Sequence, residues 1–186
     1  MRYETILRQV SNSRFSLGAK AARIVHRLIE TDERYRLFAL DDGVEHAMDD
    51  ATQRYSKMDY AVFRDFNILC YLDAQTSAKY NFANSKHMDI GQSKLNDACT
   101  RFELSFNSVF VDYLPFETPD LDDRVCFTSL TDILAAFPDI DKIPGDEYNG
   151  HWVYETPKAL WHRRLSGLFS LLDSIPIGQR VRKLGT

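Results

Sequence analysis

The sequence predicts an α+β fold, predominantly helical, with a small antiparallel sheet in its second half. Three observations carry that expectation. Helical spacing of apolar residues dominates residues 1–100, alternation first becomes regular near residue 102, and Asn149-Gly150 is a strong short signal for a β-hairpin. A chain of 186 residues has the size of one compact domain. Residues 1–186 are therefore read as a single domain, mostly helical over 1–100, sheet-containing over 101–155, and closing with a C-terminal helix and basic tail over 156–186. The hydrophobic content of 44% excludes a disordered chain.

Taken in order, Ser16 is placed to cap a helix whose residues Leu17, Ala21, Ile24, Val25 and Leu28 fall on one face, with Lys20, Arg23 and Arg27 opposite. "RYRLFAL" alternates briefly. Asp42 and Glu45 form a capping-box pattern ahead of Val44, Ala47, Met48, Ala51 and Tyr55. Ser56 and Asp59 repeat that pattern. They make "MDYAVFRDFNILCYLDA" a helix at the centre of the core, apolar most of the way around.

A polar loop is expected over about 76–92, then a short helix from Ser93 to Cys99. Phe102, Leu104 and Phe106, then Val109, Val111 and Tyr113, alternate as strands. Ser129 and Asp132 open a short helix that Pro138 ends. Beyond Asn149-Gly150, residues 151–155 are the returning strand. Thr156 is then an N-cap and Pro157 the first residue of a helix carrying Trp161, Leu165, Leu168, Leu172 and Ile175.

Charge is distributed unevenly. Residues 1–29 hold six basic residues against Glu4 alone, and residues 156–186 hold six against Asp173 alone, so the middle of the chain is strongly acidic. Lys20, Arg23, Arg27, Arg163, Arg164, Arg180, Arg182 and Lys183 make the candidate basic binding surface. Asp120, Asp122, Asp123, Asp139, Asp141, Asp146 and Glu147 make the acidic one. The acids have the D-x-D look of a cation site but lack the glycine and closing Glu of a calcium loop, so they read as solvated loop residues.

No nucleophile motif, phosphate-binding glycine loop or dinucleotide fingerprint is present. His151 and His162 are the best histidine pair, a strand end and the second turn of the following helix, without any established metal-ligand spacing. Accordingly no catalytic residue, metal ligand or cofactor is assigned. Cys70, Cys99 and Cys126 read as reduced, mostly buried thiols. No apolar run is long enough to span a membrane, and "MRYETILRQV" has charges where a signal peptide needs an apolar stretch. The expected location is the cytoplasm, or the inside of an assembled particle.

The function expected from these features is a non-catalytic interaction or assembly protein, a component of a larger viral, phage or host-machinery complex. Its basic ends and acidic middle would grip another protein or copies of itself. One alternative is a nucleic-acid-binding regulator using the Lys20, Arg23, Arg27 stripe. Another is a metal-assisted hydrolase around His151 and His162.

Overall fold

A computed structural model describes residues 17–40, 58–76, 85–114, 120, 122–148 and 150–177. The expectation of a predominantly helical chain is overturned: the described residues form four α-helices and nine strands, the strands arranged in two sheets. The helices are α1 (Leu17–Ile29), α2 (Gln92–Glu103), α3 (Leu130–Ala136) and α4 (Leu165–Ser174). The strands are β1 (Tyr35–Ala39), β2 (Tyr60–Arg64), β3 (Asn67–Gln75), β4 (His87–Gly91), β5 (Asn107–Tyr113), β6 (Val125–Ser129), β7 (Gly145–Tyr148), β8 (His151–Pro157) and β9 (His162–Arg163).

The larger sheet has the order β1-β2-β3-β5-β6-β9, and the smaller one β4-β8-β7. Every neighbouring pair is antiparallel except β3 and β5, which run parallel. A parallel pair needs a crossover, and β4 with α2 supplies it.

The largest departure from expectation lies at 58–74, where a β2–β3 hairpin replaces the central helix. Strands covered on both faces carry apolar residues at successive positions, so their sequence loses the alternation that marks a strand. In β3, Leu69, Cys70, Tyr71, Leu72, Asp73 and Ala74 are all buried. The reversal is made by Asp65 and Phe66, both at positive φ (49° and 63°), with Arg64 paired to Asn67. Two left-handed residues in a two-residue loop make a type I′ turn, here without the usual glycine.

Three further corrections follow from local chemistry. Helix α2 starts after Gly91 and absorbs Arg101 to Glu103, so the alternating run begins only at β5. Residues 87–91, read as loop, form β4. The helix expected from Pro157 starts instead at Leu165, because Thr156 is fully buried inside β8. Its hydroxyl donates to the Met88 carbonyl at 2.7 Å and accepts from Trp161 Nε1 at 2.9 Å. A side chain committed across the sheet cannot cap a helix.

Other elements stand where expected. The Ser129 hydroxyl accepts the Asp132 amide at 3.1 Å and opens α3. Gly150 has φ of 77° in the turn between β7 and β8. Gly145 is required by close approach, since a Cβ there would lie 2.5 Å from the Val153 carbonyl oxygen. The Ser16 cap, the Asp42/Glu45 capping box with the helix after it, and the tail carrying Arg180, Arg182 and Lys183 lie outside the described residues.

Two apolar cores sandwich the larger sheet. On one face, Ala21, Ile24, Val25 and Leu28 of α1 and Leu165, Leu168 and Leu172 of α4 meet Val62, Leu72, Val109 and Val111. On the other, Leu95 and Ala98 of α2, Leu130 and Ile133 of α3, and Met88, Ile90 and Tyr154 of the smaller sheet meet Tyr71, Phe110 and Cys126. Cys70, Cys99 and Cys126 form no disulfide. Among the described residues, no helix is long and apolar enough to cross a membrane.

Candidate functional site

The hairpin register builds an acidic pair that sequence reasoning did not single out. Tyr60 lies opposite Leu72, so Asp59, just before β2, sits beside Asp73 near the end of β3. The Ala74 amide donates to Asp59 Oδ2 at 2.9 Å and fixes the first carboxylate. Asp73 follows Leu72 on the face that looks toward α2, and its side chain is buried.

Helix α2 delivers the third member. Lys94, in its first turn, places Nζ 2.7 Å from Asp59 Oδ1 and 2.7 Å from Asp73 Oδ1. Further along the same helix, Asp97 Oδ2 accepts the Met58 amide and Arg101 Nε, each at 2.9 Å. Arg101 also lies 4.0 Å from the centre of the Tyr71 ring. Lys94, Asp97 and Arg101 follow the spacing of one helix face, so α2 is clamped against the hairpin in one register.

A further polar group lies at the end of β3. Gln75, two residues after Asp73 and on the same face of β3, donates from Nε2 to the Asp89 carbonyl at 2.7 Å. The same nitrogen lies 3.4 Å from Asp112 Oδ2, and Asp112 is itself fully buried opposite Gln75 in the parallel ladder. The acids and Gln75 thus gather toward the carboxyl ends of the parallel strands β3 and β5, where open α/β sheets place their ligand crevices.

The electrostatics are those of a negative pair short of counter-charge. Burial, and then the Asp73 carboxylate, push Asp59 up to about 7 against the pull of Lys94. Burial works against the Lys94 ammonium too, but the two carboxylates outweigh it and hold Lys94 above its ordinary value. Below about 7 Asp59 keeps its proton and Lys94 balances Asp73; above it two carboxylates face one lysine in a poorly solvated place. That excess negative charge is costly unless something completes it.

The donor set is all oxygen: the carboxylates of Asp59 and Asp73. That chemistry suits a hard divalent cation such as Mg²⁺ or Mn²⁺, which takes one or two carboxylates and completes its shell with water and substrate oxygens. Among the described residues, no three His, Cys, Asp or Glu side chains are grouped to hold a metal by themselves.

No known family, curated protein or solved structure matches this chain.

The residues singled out from sequence fall elsewhere. Lys20 belongs to α1, where Arg23 is half-buried and Arg27 exposed. Arg163 donates to the Asp123 carbonyl at 2.8 Å, and Arg164 Nε lies 3.3 Å from Asp123 Oδ1, so this basic pair meets the acidic segment within one chain. Asp122 accepts the Ser166 amide at 2.8 Å and its hydroxyl at 3.2 Å, at the start of α4. Asp120, Asp139 and Asp146 accept nearby main-chain amides, from Asp122, Asp141 and Glu147 respectively. His151 opens β8 of the smaller sheet, a strand end as expected, whereas His162 lies on β9 of the larger sheet, against the Phe127 ring, and not in a helix.

One predicted element does come near the acidic pair. The His26 ring of α1 meets Tyr60, the residue after Asp59, edge-on at 5.2 Å. Burial and the Asp59 charge raise the Tyr60 phenol, while Arg23 and Lys94 act the other way. Arg23 thus lies within electrostatic range of the Asp59 end of the hairpin.

Proposed function

We propose that this protein is a hydrolase of phosphodiesters, acting on nucleic acid with a divalent cation held by Asp59 and Asp73. The observation that carries the reading is the single ammonium, Lys94 Nζ, 2.7 Å from both carboxylates. A buried carboxylate raised above its ordinary value, beside a second acid and a specific cation, is a candidate functional group.

The cation supplies charge stabilisation and a more acidic water. The residues of the chain supply the rest. Asp59 and Asp73 would hold the cation; water attacks phosphorus in line and gives up a proton to solvent as the new P–O bond forms, the scissile P–O bond breaks, and the departing oxygen takes a proton from solvent. Lys94 stabilises the charge that builds on the non-bridging oxygens. Gln75 ties the end of β3 to β4 through its bond to the Asp89 carbonyl. The choice of a polyanionic substrate rests on Arg23 of α1, whose positive charge reaches Tyr60, the residue after Asp59.

The test is a cleavage assay on labelled DNA and RNA, single-stranded and duplex, with Mg²⁺ or Mn²⁺. Cleavage that stops with chelator and in Asp73→Asn supports the reading. Equal cleavage by wild type and variant would assign it to a contaminant.

A second reading, an interaction protein that binds another protein or copies of itself, is favoured by Phe38 on β1, the outermost described strand, and by Phe66 at the hairpin tip. Both are exposed aromatic side chains. Sedimentation across a salt series tests it; a chain that stays monomeric throughout counts against self-assembly.

A further inference from the structure

We propose that the outer edge of β1 is a gated interface for a second copy of this chain, with Glu30 as the gate. This interface rests on the self-association reading and gives it a surface and a partner strand. β1 is the outermost described strand of the larger sheet. The Leu40 amide donates to the Asp59 carbonyl at 2.9 Å, so Arg36, Phe38 and Leu40 turn their main-chain groups toward β2. Tyr35, Leu37 and Ala39 therefore turn theirs outward. A row of such groups is a template for another strand.

Side chains close that template. Glu30, the residue after α1, accepts the Leu37 amide on Oε1 at 3.0 Å, while its Oε2 lies 3.2 Å from His26 Nε2. Arg36 donates from Nη1 to the Tyr35 carbonyl at 2.7 Å, and the Asp32 carbonyl accepts the Tyr35 amide at 3.1 Å. The Glu30 carboxylate thus stands where the carbonyl of an incoming strand would stand. Its side chain is partly exposed, so it can swing into water without disturbing the core.

The partner is a second copy because β1 matches itself. In an antiparallel pairing centred on Leu37, the two Leu37 residues exchange amide and carbonyl bonds, and each Ala39 amide reaches the Tyr35 carbonyl of the other copy. The Leu37 amide and the Tyr35 carbonyl are the groups that Glu30 and Arg36 cover in the single chain. The same register sets Arg36 opposite Phe38 of the second copy, on the face away from α1. Phe38 is 68% exposed, and an Arg36 released from Tyr35 can lie over its ring. No like charges meet in this register.

The experiment is sedimentation equilibrium of the full chain across a concentration series, for wild type, Glu30→Gln, Glu30→Ala, and Glu30→Ala combined with Phe38→Lys. Glu30→Gln keeps an oxygen that can accept the Leu37 amide, whereas Glu30→Ala opens the edge. Opening it is expected to tighten dimerisation about tenfold or more, the worth of one charge-assisted hydrogen bond that no longer has to be broken. Glu30→Gln is expected to stay nearer wild type. Adding Phe38→Lys, which sets two cations opposite each other, is expected to abolish the gain, and the Ala39 amide to be protected from hydrogen exchange in the dimer. A folded Glu30→Ala no more dimeric than wild type overturns the proposal, as does a dimer that Phe38→Lys leaves intact or in which Ala39 stays unprotected. Equal dimerisation by Glu30→Gln and Glu30→Ala would assign the effect to charge alone and overturns the gate.

If Glu30→Ala does not fold, wild type at high concentration decides alone: a weak dimer that Phe38→Lys removes supports the interface, and any other result overturns it. Failure of this interface is distinguishable from failure of the self-association reading. In the first case the chain associates but ignores Glu30→Ala and Phe38→Lys. In the second neither wild type nor variant associates at any salt concentration.

Discussion

The Ala74 amide donates to Asp59 Oδ2 at 2.9 Å across the β2–β3 hairpin, and this one bond sets the first carboxylate beside Asp73, the residue preceding Ala74. Hairpin register is thus converted into a pair of acids, which α2 then covers with Lys94.

A pair of like charges held by one lysine is a site of conflict between stability and activity. Asp59→Asn removes one charge and leaves Lys94 matched to Asp73. Urea unfolding is expected to show stability unchanged or raised by about 1 kcal/mol, while cation-dependent cleavage is lost. A large loss of stability would mean that the carboxylate is needed for folding.

Asp59 also gives stability a pH dependence of defined sign. Its folded value lies at about 7, above the 3.8 of an unperturbed Asp, so between those values the folded protein keeps a proton that the unfolded chain has released. Stability therefore falls as pH rises through that window and levels off above it. The lowered values of Asp32 and Asp173 act with the opposite sign and below the window. Asp59→Asn should flatten the slope between pH 4 and 7; denaturant midpoints measured across that range check it.

The smaller sheet is secured by a buried hydroxyl. Thr156→Val keeps the shape but strands the buried Trp161 indole N–H and takes the hydroxyl donor from the Met88 carbonyl. Loss of about 2–3 kcal/mol is expected in chemical denaturation. No loss would mean that water replaces the hydroxyl.

At the hairpin tip, Phe66 holds φ of 63° while fully exposed. Phe66→Gly removes the left-handed cost and makes an Asp-Gly type I′ turn, so thermal unfolding should rise in midpoint, by about 1 kcal/mol of stability. The same variant separates the two functional readings. Loss of self-association with cleavage intact would assign Phe66 to an interface.

The fold was partly legible from sequence because some signals are local. Helix α1, the Ser129 cap and the Gly150 turn each depend on neighbours within a few residues. The β2–β3 hairpin was not legible, since β3 is buried on both faces and Asp65-Phe66 makes its turn without glycine. The candidate site was hidden for another reason. Asp59, Asp73 and Lys94 lie far apart in sequence and meet only through strand register and the packing of α2. A usable trace did exist: an Asp precedes the apolar run "YAVF" and another ends the run "ILCYL", which puts both at one end once the runs pair as a hairpin. Reading both runs as one helix concealed it.

The most direct test of the central claim is Mn²⁺-dependent cleavage of a labelled DNA or RNA strand by wild type, Asp59→Asn and Asp73→Asn purified side by side. The account predicts product from wild type only, abolished by chelator, with both variants folded. Intact substrate with wild type under every metal and nucleic-acid condition, or undiminished cleavage by either variant, would contradict it.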